Sequence, residues 1–169
     1  MTALTDAVSA EHRAYAVQVD ELRRLADDCT EERPGPLVRD VDVSIAFLER
    51  ELLPHAAAED AVLYPAVAEL LGSPAATDTM RRDHDEIRKL AAALHRHRDE
   101  LGTAVHPAAV GEVRRLLYAL HAIISLHVAK EEELYLPLLD ADLSDAEADV
   151  LLHRMHEVVR PHAGHAGHN

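Results

Sequence analysis

The sequence predicts an all-α fold: an up-down-up-down four-helix bundle with a short additional C-terminal helix. Hydrophobic residues, mostly Leu, Ala and Val, make up 48% of the 169 residues, whereas aromatic residues make up only 3%. That composition favours helices over strands. Short segments containing Pro or Gly separate four long stretches, and such short connections favour antiparallel neighbouring helices.

The first breakers delimit three of the predicted helices. The segment EERPGP, residues 31–36, separates a first helix of about residues 5–29 from a second helix. The second starts near Pro36, since proline suits the first position of a helix. The segment GSPAATD, residues 72–78, ends it and leads into a third helix that runs to about Leu101.

The rest of the chain predicts two more helices and a tail. The segment GTAVHP, residues 102–107, precedes a fourth helix of about residues 107–139. Ser144 offers an N-cap for a shorter fifth helix, with Glu147 three residues later as in a capping box. We expect this helix to pack over one edge of the bundle, where it would cover or gate the interior. Residues 1–160 would form one domain, and residues 161–169 a flexible His-rich tail.

Composition also limits the partners and the compartment. A net charge of −14 argues against nucleic acid and against anionic membrane surfaces, both of which require clustered Lys and Arg. No apolar run approaches the roughly 20 residues that span a bilayer, and the N-terminus shows no secretory signal. Cys29 is the only cysteine, which fits a reducing compartment. We therefore expect a cytoplasmic protein.

The second and fourth helices each carry an inward apolar stripe that ends in a histidine and a glutamate. In the fourth helix the stripe precedes His127 and Glu131; its members are Val113, Leu116, Leu117, Leu120, Ile123 and Ile124. In the second helix the stripe precedes His55 and Glu59; its members are Val41, Ile45, Leu48 and Leu52. Pro54 lies inside the second stripe and should bend or locally open the helix.

These polar residues belong to a repeat that relates the two halves of the chain. The stretch HAAAEDAVLYP at 55–65 matches HVAKEEELYLP at 127–137, with His, Glu and Pro at the same offsets. These two stretches lie 72 positions apart. The same offset relates His12 in the first helix to His84 in the third, and each of these histidines directly follows an acid. Each half is therefore a helix pair, and what repeats best is polar and inward-facing.

Such a cluster is costly in a helical interior, because buried carboxylates and imidazoles need partners. A metal ion neutralises the set and binds both kinds of donor, and mixed nitrogen and oxygen ligands suit iron, manganese or zinc. Two six-coordinate irons sharing the set would leave open positions for solvent or a small ligand. The candidate ligands are His12, His55, Glu59, His84, His127 and Glu131.

The order of these motifs resembles the hemerythrin-like family, also called HHE cation-binding domains, over about residues 8–140. One histidine, then His-x-x-x-Glu, occurs on successive helices in each half, and Pro65 and Pro137 follow the two His-x-x-x-Glu motifs. The resemblance implies a left-twisted bundle around two iron ions in an oxo- or hydroxo-bridged, non-haem di-iron centre. It also implies that the four histidines are terminal ligands and that the two glutamates bridge.

The chain departs from the oxygen-carrying hemerythrins at two points. They have a second histidine one turn after the third-helix ligand, where this chain has Arg88. They have an aspartate five residues after the last histidine, whereas this chain offers Glu131 at four and Glu132 at five. The lost histidine would make the two irons more alike and leave more coordination open. Peroxide decomposition, oxidation chemistry or sensing is therefore favoured over reversible oxygen carriage.

Other polar residues near the motifs have two interpretations each. Tyr15 and Tyr135 could reach the inner face as phenolic ligands or hydrogen-bond donors, or be packed core tyrosines. Asp60 and Glu132 adjoin the candidate ligands and are either outer hydrogen-bond partners or solvated residues. Four further histidines fall off the inward stripe and should be solvated; they are His95, His97, His106 and His121.

The sequence thus predicts a di-iron protein that binds or turns over O₂, H₂O₂ or NO, with catalase-like activity as its enzymatic form. One alternative is a non-enzymatic iron or oxygen sensor or carrier, and another is metal handling through the His-rich tail. A ferritin-like site fits less well, because its Glu-x-x-His order is reversed here. The structural alternative is a polar network in which His and Glu only pair with each other. The expected partner is a diatomic ligand or peroxide, and no redox or signalling partner is specified.

Overall fold

The computed structural model describes residues 2–29, 34–103 and 107–160, and within these ranges it contains helices and no strand. The predicted all-helical class is therefore confirmed. The up-down-up-down direction of the long helices stays a prediction, and the His-rich tail, residues 161–169, lies outside the described residues. No described helix combines the length and apolar character needed to cross a membrane.

Four long helices and one shorter helix make up the described fold. The α-helical segments are α1 (Ala3–Asp28), α2 (Pro34–Phe47), α3 (Leu53–Ala58), α4 (Tyr64–Leu70), α5 (Asp78–Thr103), α6 (Pro107–Lys130), α7 (Leu136–Asp142) and α8 (Asp145–Val159). Turns of π-helix at Leu48–Leu52 and Glu59–Leu63 join α2, α3 and α4 into one long helix. A third π-turn, Glu131–Tyr135, joins α6 to α7, and a 3₁₀ turn, Pro74–Thr77, leads into α5.

Each π-turn is followed by a proline two residues after its last residue. Proline has no N–H and its ring clashes with the carbonyl four residues earlier, so the α-helical pattern cannot pass through it. The residue before each proline instead bonds five residues back, as Tyr64 N does to the Glu59 carbonyl and Leu136 N to the Glu131 carbonyl. Leu53 N bonds the Leu48 carbonyl in the same way, so the predicted opening at Pro54 is confirmed.

Local sequence sets the helix ends. The Thr2 side chain caps the first turn of α1 by accepting from Thr5 N. Gly72 has a positive φ of 62° just after α4, and Ser73 N bonds back to the Ala68 carbonyl, a Schellman ending that glycine favours. Ser144 caps α8, and the predicted capping box with Glu147 is confirmed.

The long helices pack around α6, which lies against both α1 and α5, while α2 contacts α1 and α5. The shorter α8 packs across α1, α3 and the π-turn at Glu59–Leu63. The core consists of two apolar clusters, one containing Leu48 and Leu117 and the other containing Leu63 and Leu139, all fully buried. Burial of each such leucine side chain stabilises the folded state by about 1.5–3 kcal/mol. Leu52 of the first cluster and Tyr64 of the second adjoin the polar residues between them.

The cap of α8 can be tested by substitution of an exposed residue. We expect Ser144→Ala to lower the free energy of unfolding by about 1 kcal/mol, because the N–H of Glu147 then loses its acceptor. Ser144→Asp keeps an acceptor and should retain wild-type stability. Urea unfolding followed by circular dichroism measures both variants. Equal midpoints for wild type and Ser144→Ala would show that the cap contributes nothing.

Candidate metal centre

The six side chains that the repeat indicates meet in the interior between the long helices. The four histidines lie on four different helices, α1, α3, α5 and α6, and each glutamate begins a π-turn. None of the six is more than 5% exposed, and together they line a cavity of ≈ 10 Å³. The residues concerned are His12, His55, Glu59, His84, His127 and Glu131. The structure thus brings every candidate ligand together, and their role as ligands stays a prediction.

Three of them form a first group of donors. His12 Nε2 and His55 Nε2 lie 3.3 Å apart, and Glu59 Oε1 lies 2.9 Å from His55 Nε2 and 3.7 Å from His12 Nε2. Two ring nitrogens bound at about 2.1 Å on adjacent positions of one metal ion are about 3 Å apart. The spacing of this group therefore suits a single ion shared by the three residues.

A second group repeats this arrangement in the other half of the chain. His84 Nε2 and His127 Nε2 lie 2.9 Å apart, and the other oxygen of Glu59, Oε2, lies 3.4 Å from His84 Nε2. Glu59 is therefore a member of both groups and presents a different oxygen to each. A carboxylate so placed can bridge two ions.

Four carboxylates bind the histidine rings on the side that faces away from the cavity. Each accepts a hydrogen bond from the Nδ1 of one histidine, which leaves Nε2 to face the cavity. The pairs are Glu132 with His12 at 2.7 Å, Glu11 with His55 at 2.7 Å, Asp60 with His84 at 2.9 Å and Asp83 with His127 at 3.2 Å. Such pairs fix the tautomer and raise the basicity of metal-binding histidines.

Two carboxylate oxygens provide a direct test of whether the site fits a cation. Within the part of the chain that the structure describes, Glu59 Oε1 and Glu131 Oε2 are buried and accept no hydrogen bond. Glu59 Oε1 is nevertheless only 2.9 Å from His55 Nε2, so the direction of approach, not the distance, prevents the bond. Metal ions held between the histidine rings and these carboxylates would give both oxygens a partner, whereas a simple His–Glu network leaves them without one.

Burial and the carboxylates act in opposite directions on the histidine pKa values. Burial lowers the pKa of His12, but the nearby carboxylates of Glu131 and Glu59 outweigh burial and raise the pKa to about 10. The pKa of His55 likewise rises to about 10 despite burial, because of Glu59 and Glu11. Burial also works against ionised Glu59, yet the facing imidazoles hold its pKa well below the usual range.

The second histidine pair behaves unevenly. Burial opposes protonation of His84, but Asp60 and Glu59 raise its pKa to about 9. For His127, burial dominates over the charge of Glu131 and lowers the pKa. A metal ion binds imidazole nitrogens only after their protons leave, so metal binding at this site should strengthen as the pH rises.

The family comparison agrees with this geometry. The family model of the hemerythrin HHE cation-binding domain matches residues 3–139. The chain belongs to this family. The match includes all six candidate ligands and ends before α8. No curated protein and no solved structure matches the chain significantly.

Membership in the hemerythrin HHE family, together with the two donor groups, indicates a metal-binding helical protein. The resemblance inferred from the motif order is thus confirmed. Mixed imidazole and carboxylate donors, with no thiolate among them, suit a borderline ion such as iron.

Tyr64 is a site residue that the sequence analysis did not predict. It is fully buried, and its hydroxyl donates to Glu131 Oε1 at 2.7 Å. The Tyr64 hydroxyl oxygen also lies 3.1 Å from His127 Nε2 and 3.4 Å from His84 Nε2. The phenol therefore faces only the second donor group. Burial and the nearby Glu59 and Glu131 raise its pKa above the usual range, so it is a neutral donor there.

Tyr64 also explains why Glu131 differs from Glu59. One Glu131 oxygen accepts from the phenol, and the other, Oε2, lies 3.4 Å from His12 Nε2 and 3.6 Å from His127 Nε2. A single oxygen thus faces one histidine of each group, whereas Glu59 divides its two oxygens between them. The bridging role predicted for Glu131 remains a prediction.

The structure decides between the two interpretations given for the tyrosines and carboxylates near the motifs. The Tyr15 ring packs edge-on against Phe47 and His55, and the Tyr135 hydroxyl donates to the Ala76 carbonyl at 3.1 Å. Both are therefore packed tyrosines beside the site. Asp60 and Glu132 bond the Nδ1 atoms of His84 and His12, so of their two interpretations the outer hydrogen-bond partner is the correct one.

Three of the four histidines predicted to be solvated lie in the described part of the chain and only partly match the prediction; His106 lies outside the described residues. The His95 side chain is 52% exposed, as expected, but those of His97 and His121 are only 28% and 24% exposed. Each lies beside an exposed carboxylate, and none lines the cavity between the donor groups.

The hydroxyl of Tyr64 can be removed with little change of shape. In chelator-treated protein, Tyr64→Phe leaves both Glu131 oxygens without a donor, and we expect a loss of about 1–3 kcal/mol in unfolding free energy. Tyr135→Phe is the matched control and should cost less, because its bond to a half-exposed backbone carbonyl is replaced by water. Equal losses in urea unfolding of the two variants would contradict the role assigned to Tyr64.

Proposed function

We propose that this chain is a hemerythrin-like protein that holds two iron ions and uses them to bind or turn over O₂, H₂O₂ or NO. Decomposition of peroxide, a catalase-like reaction, would be its enzymatic form. The observation that carries the proposal is the position of Glu59, whose two oxygens face two different histidine pairs. We further propose that the four long helices run up-down-up-down around this centre.

The donor sets support two positions rather than one. Each group offers two imidazole nitrogens and one oxygen of Glu59, and Glu131 Oε2 lies between His12 and His127. Protein donors alone leave each position short of the six ligands common for iron, so solvent or a small ligand can take the remainder. Bound iron would supply the electrons and the open coordination for reaction with a small oxidant.

The side chains around the donors determine what can enter. Apolar groups line the cavity together with the donors; they are Leu52, Ala56, Ile87, Ile124 and Val128. They keep bulk water from the donors, which suits a centre that admits only a small molecule such as a diatomic ligand or peroxide. Beside the donors, the Tyr64 hydroxyl lies 3.1 Å from His127 Nε2, and its raised pKa keeps the proton at Oη, so it is a neutral hydrogen-bond donor.

A non-enzymatic sensor or carrier is the second candidate, and the unpaired buried oxygens of Glu59 and Glu131 favour it. Metal binding satisfies these atoms only in the folded chain, so metal loading and stability must be linked. We place either function in the cytoplasm, in keeping with a sole cysteine, Cys29, that is buried and unpaired.

Metal content tests the central proposal. Elemental analysis of untagged protein should find two irons per chain, with near-ultraviolet absorption that appears with the iron. Glu59→Ala should lower the content below one iron per chain, because both groups lose a ligand. Glu51→Ala removes an exposed acid eight residues earlier on the same long helix and should keep two irons. One zinc, no metal, or an unchanged content in Glu59→Ala would refute a di-iron centre bridged by Glu59.

Peroxide consumption separates the enzyme from the sensor. We expect iron-loaded wild type to consume H₂O₂ and His127→Ala to lose this activity, whereas His95→Ala, which changes an exposed histidine, should keep it. Oxygen-electrode assays measure evolution of O₂, and melting curves with and without iron accompany them. Peroxide turnover by an iron-free His127→Ala variant would rule out the enzymatic form. An inactive wild type whose melting midpoint rises with iron would support the sensor or carrier.

A further inference from the structure

The two metal positions have equivalent ligands but unequal surroundings. The offset of 72 positions relates Glu11 to Asp83 and Asp60 to Glu132. All four are the outer carboxylates that bond a histidine Nδ1. The repeat therefore extends to the hydrogen-bond partners of the ligands, and any difference between the two positions must come from groups beyond them.

Cations surround the outer carboxylates of only one histidine pair. Beside His84, Asp60 accepts from Arg88 at 2.5 Å, and Arg81 lies 3.8 Å away. Beside His127, Asp83 is bonded by Lys130. Both outer carboxylates of the His84–His127 pair thus form ion pairs.

In the part of the chain that the structure describes, no such cation lies beside the outer carboxylates of the His12–His55 pair. Beside His12, Glu132 accepts instead from the Ser9 hydroxyl at 3.0 Å. Among the described residues, neither Glu132 nor Glu11 has a Lys or Arg partner. The positions that match the three cations through the repeat are small and neutral: Ala16 for Arg88, Ser9 for Arg81 and Ala58 for Lys130. The difference is therefore built into the sequence.

The ion pairs weaken the ligands that they support. A carboxylate that accepts a hydrogen bond from Nδ1–H makes Nε2 more basic and so a stronger metal ligand. A cation paired with that carboxylate neutralises part of its charge and so reduces this gain in basicity. The cation also repels the metal directly. Screening by water is weaker here, because the side chains of Asp60 and Asp83 are 19% and 23% exposed, against 38% and 45% for Glu132 and Glu11.

We propose that Arg88, together with Lys130, makes the two positions unequal, so that metal fills the His12–His55 position first and is held more weakly at His84–His127. The proposal rests on the two-metal site of the proposed function and adds a direction to it. Arg88 acts here as a positioning residue, through Asp60 and His84.

Titration of the full-length, chelator-treated chain with Zn²⁺ tests this order, since zinc is redox-silent and diamagnetic. We expect two binding steps by calorimetry. In NMR spectra of ¹⁵N-labelled imidazoles, the ring signals of His12 and His55 should shift in the first step, and those of His84 and His127 in the second. Simultaneous shifts with one affinity, or the reverse order, would overturn the inequality.

Substitutions then identify its cause. Arg88→Gln should strengthen the second step about threefold to tenfold, less than the 10–100-fold effects of removing an outer partner itself. Arg88→Lys keeps the charge and should restore the wild-type order. Lys89→Gln removes an exposed charge from the next position of α5, 72% exposed, and should change nothing. Tyr64→Phe should leave the order intact, because the phenol donates to Glu131 and bears no charge.

The outcomes separate this inference from the proposed function. If no zinc binds, or only one ion binds, the two-metal site itself fails. If two ions bind but Arg88→Gln matches Lys89→Gln, only the role of Arg88 fails. If Arg88→Lys does not restore the wild-type order of the two zinc-binding steps, or if Tyr64→Phe loses that order, the electrostatic cause would be overturned. Circular dichroism of each variant verifies that a changed affinity is not a loss of fold.

Discussion

The interior of this helical domain depends on how two buried glutamates and four buried histidines are neutralised. An unpaired carboxylate inside a protein costs several kcal/mol, and here Glu59 and Glu131 are 1% and 0% exposed. The chain meets part of the cost with imidazoles that face the carboxylates, and secures those imidazoles with four outer acids. Even so, two oxygens accept no bond within the described residues. A cation between the rings removes that remaining cost, so metal affinity and folding share one origin.

The same sequence features that make the helices also position the donors. A proline cannot continue the α-helical pattern, so Pro65 and Pro137 each force a turn that is one residue wider, and each of these turns begins at a candidate ligand. The wider turn changes the phase of the helix, so residues after it face a different direction from the one that 3.6-residue periodicity gives. The glutamate follows its histidine by one ordinary α-helical turn, and the wider turn then brings Tyr64, five residues after Glu59, to the same interior.

Sequence reasoning therefore succeeded where the pattern was local or repeated, and failed where it was neither. The helices and the six candidate ligands follow from periodicity and from the 72-residue offset. Glu11 and Asp83 were not predicted as partners, because their bonds to His55 and His127 join different helices. The available signal was that each acid directly precedes a candidate ligand, His12 or His84. Tyr64 was missed for two reasons: it follows a phase change, and its counterpart in the other half is Leu136, so no repeat marks it.

The residues without counterparts are the ones that distinguish the two halves of the centre. Tyr64, Arg88 and Lys130 all adjoin His84 and His127. On the other side, α8, which lies beyond the segment matched by the family model, packs over α1 and α3 and leaves a cavity of ≈ 20 Å³ beside His55. A repeat of ligands alone would give two interchangeable ions with no reason for a small molecule to prefer one. On the two-metal proposal, the differences around the repeated ligands supply that reason without changing any ligand: coordination would change at the His84–His127 position, which we propose is held less tightly and where Tyr64 is a buried hydrogen-bond donor.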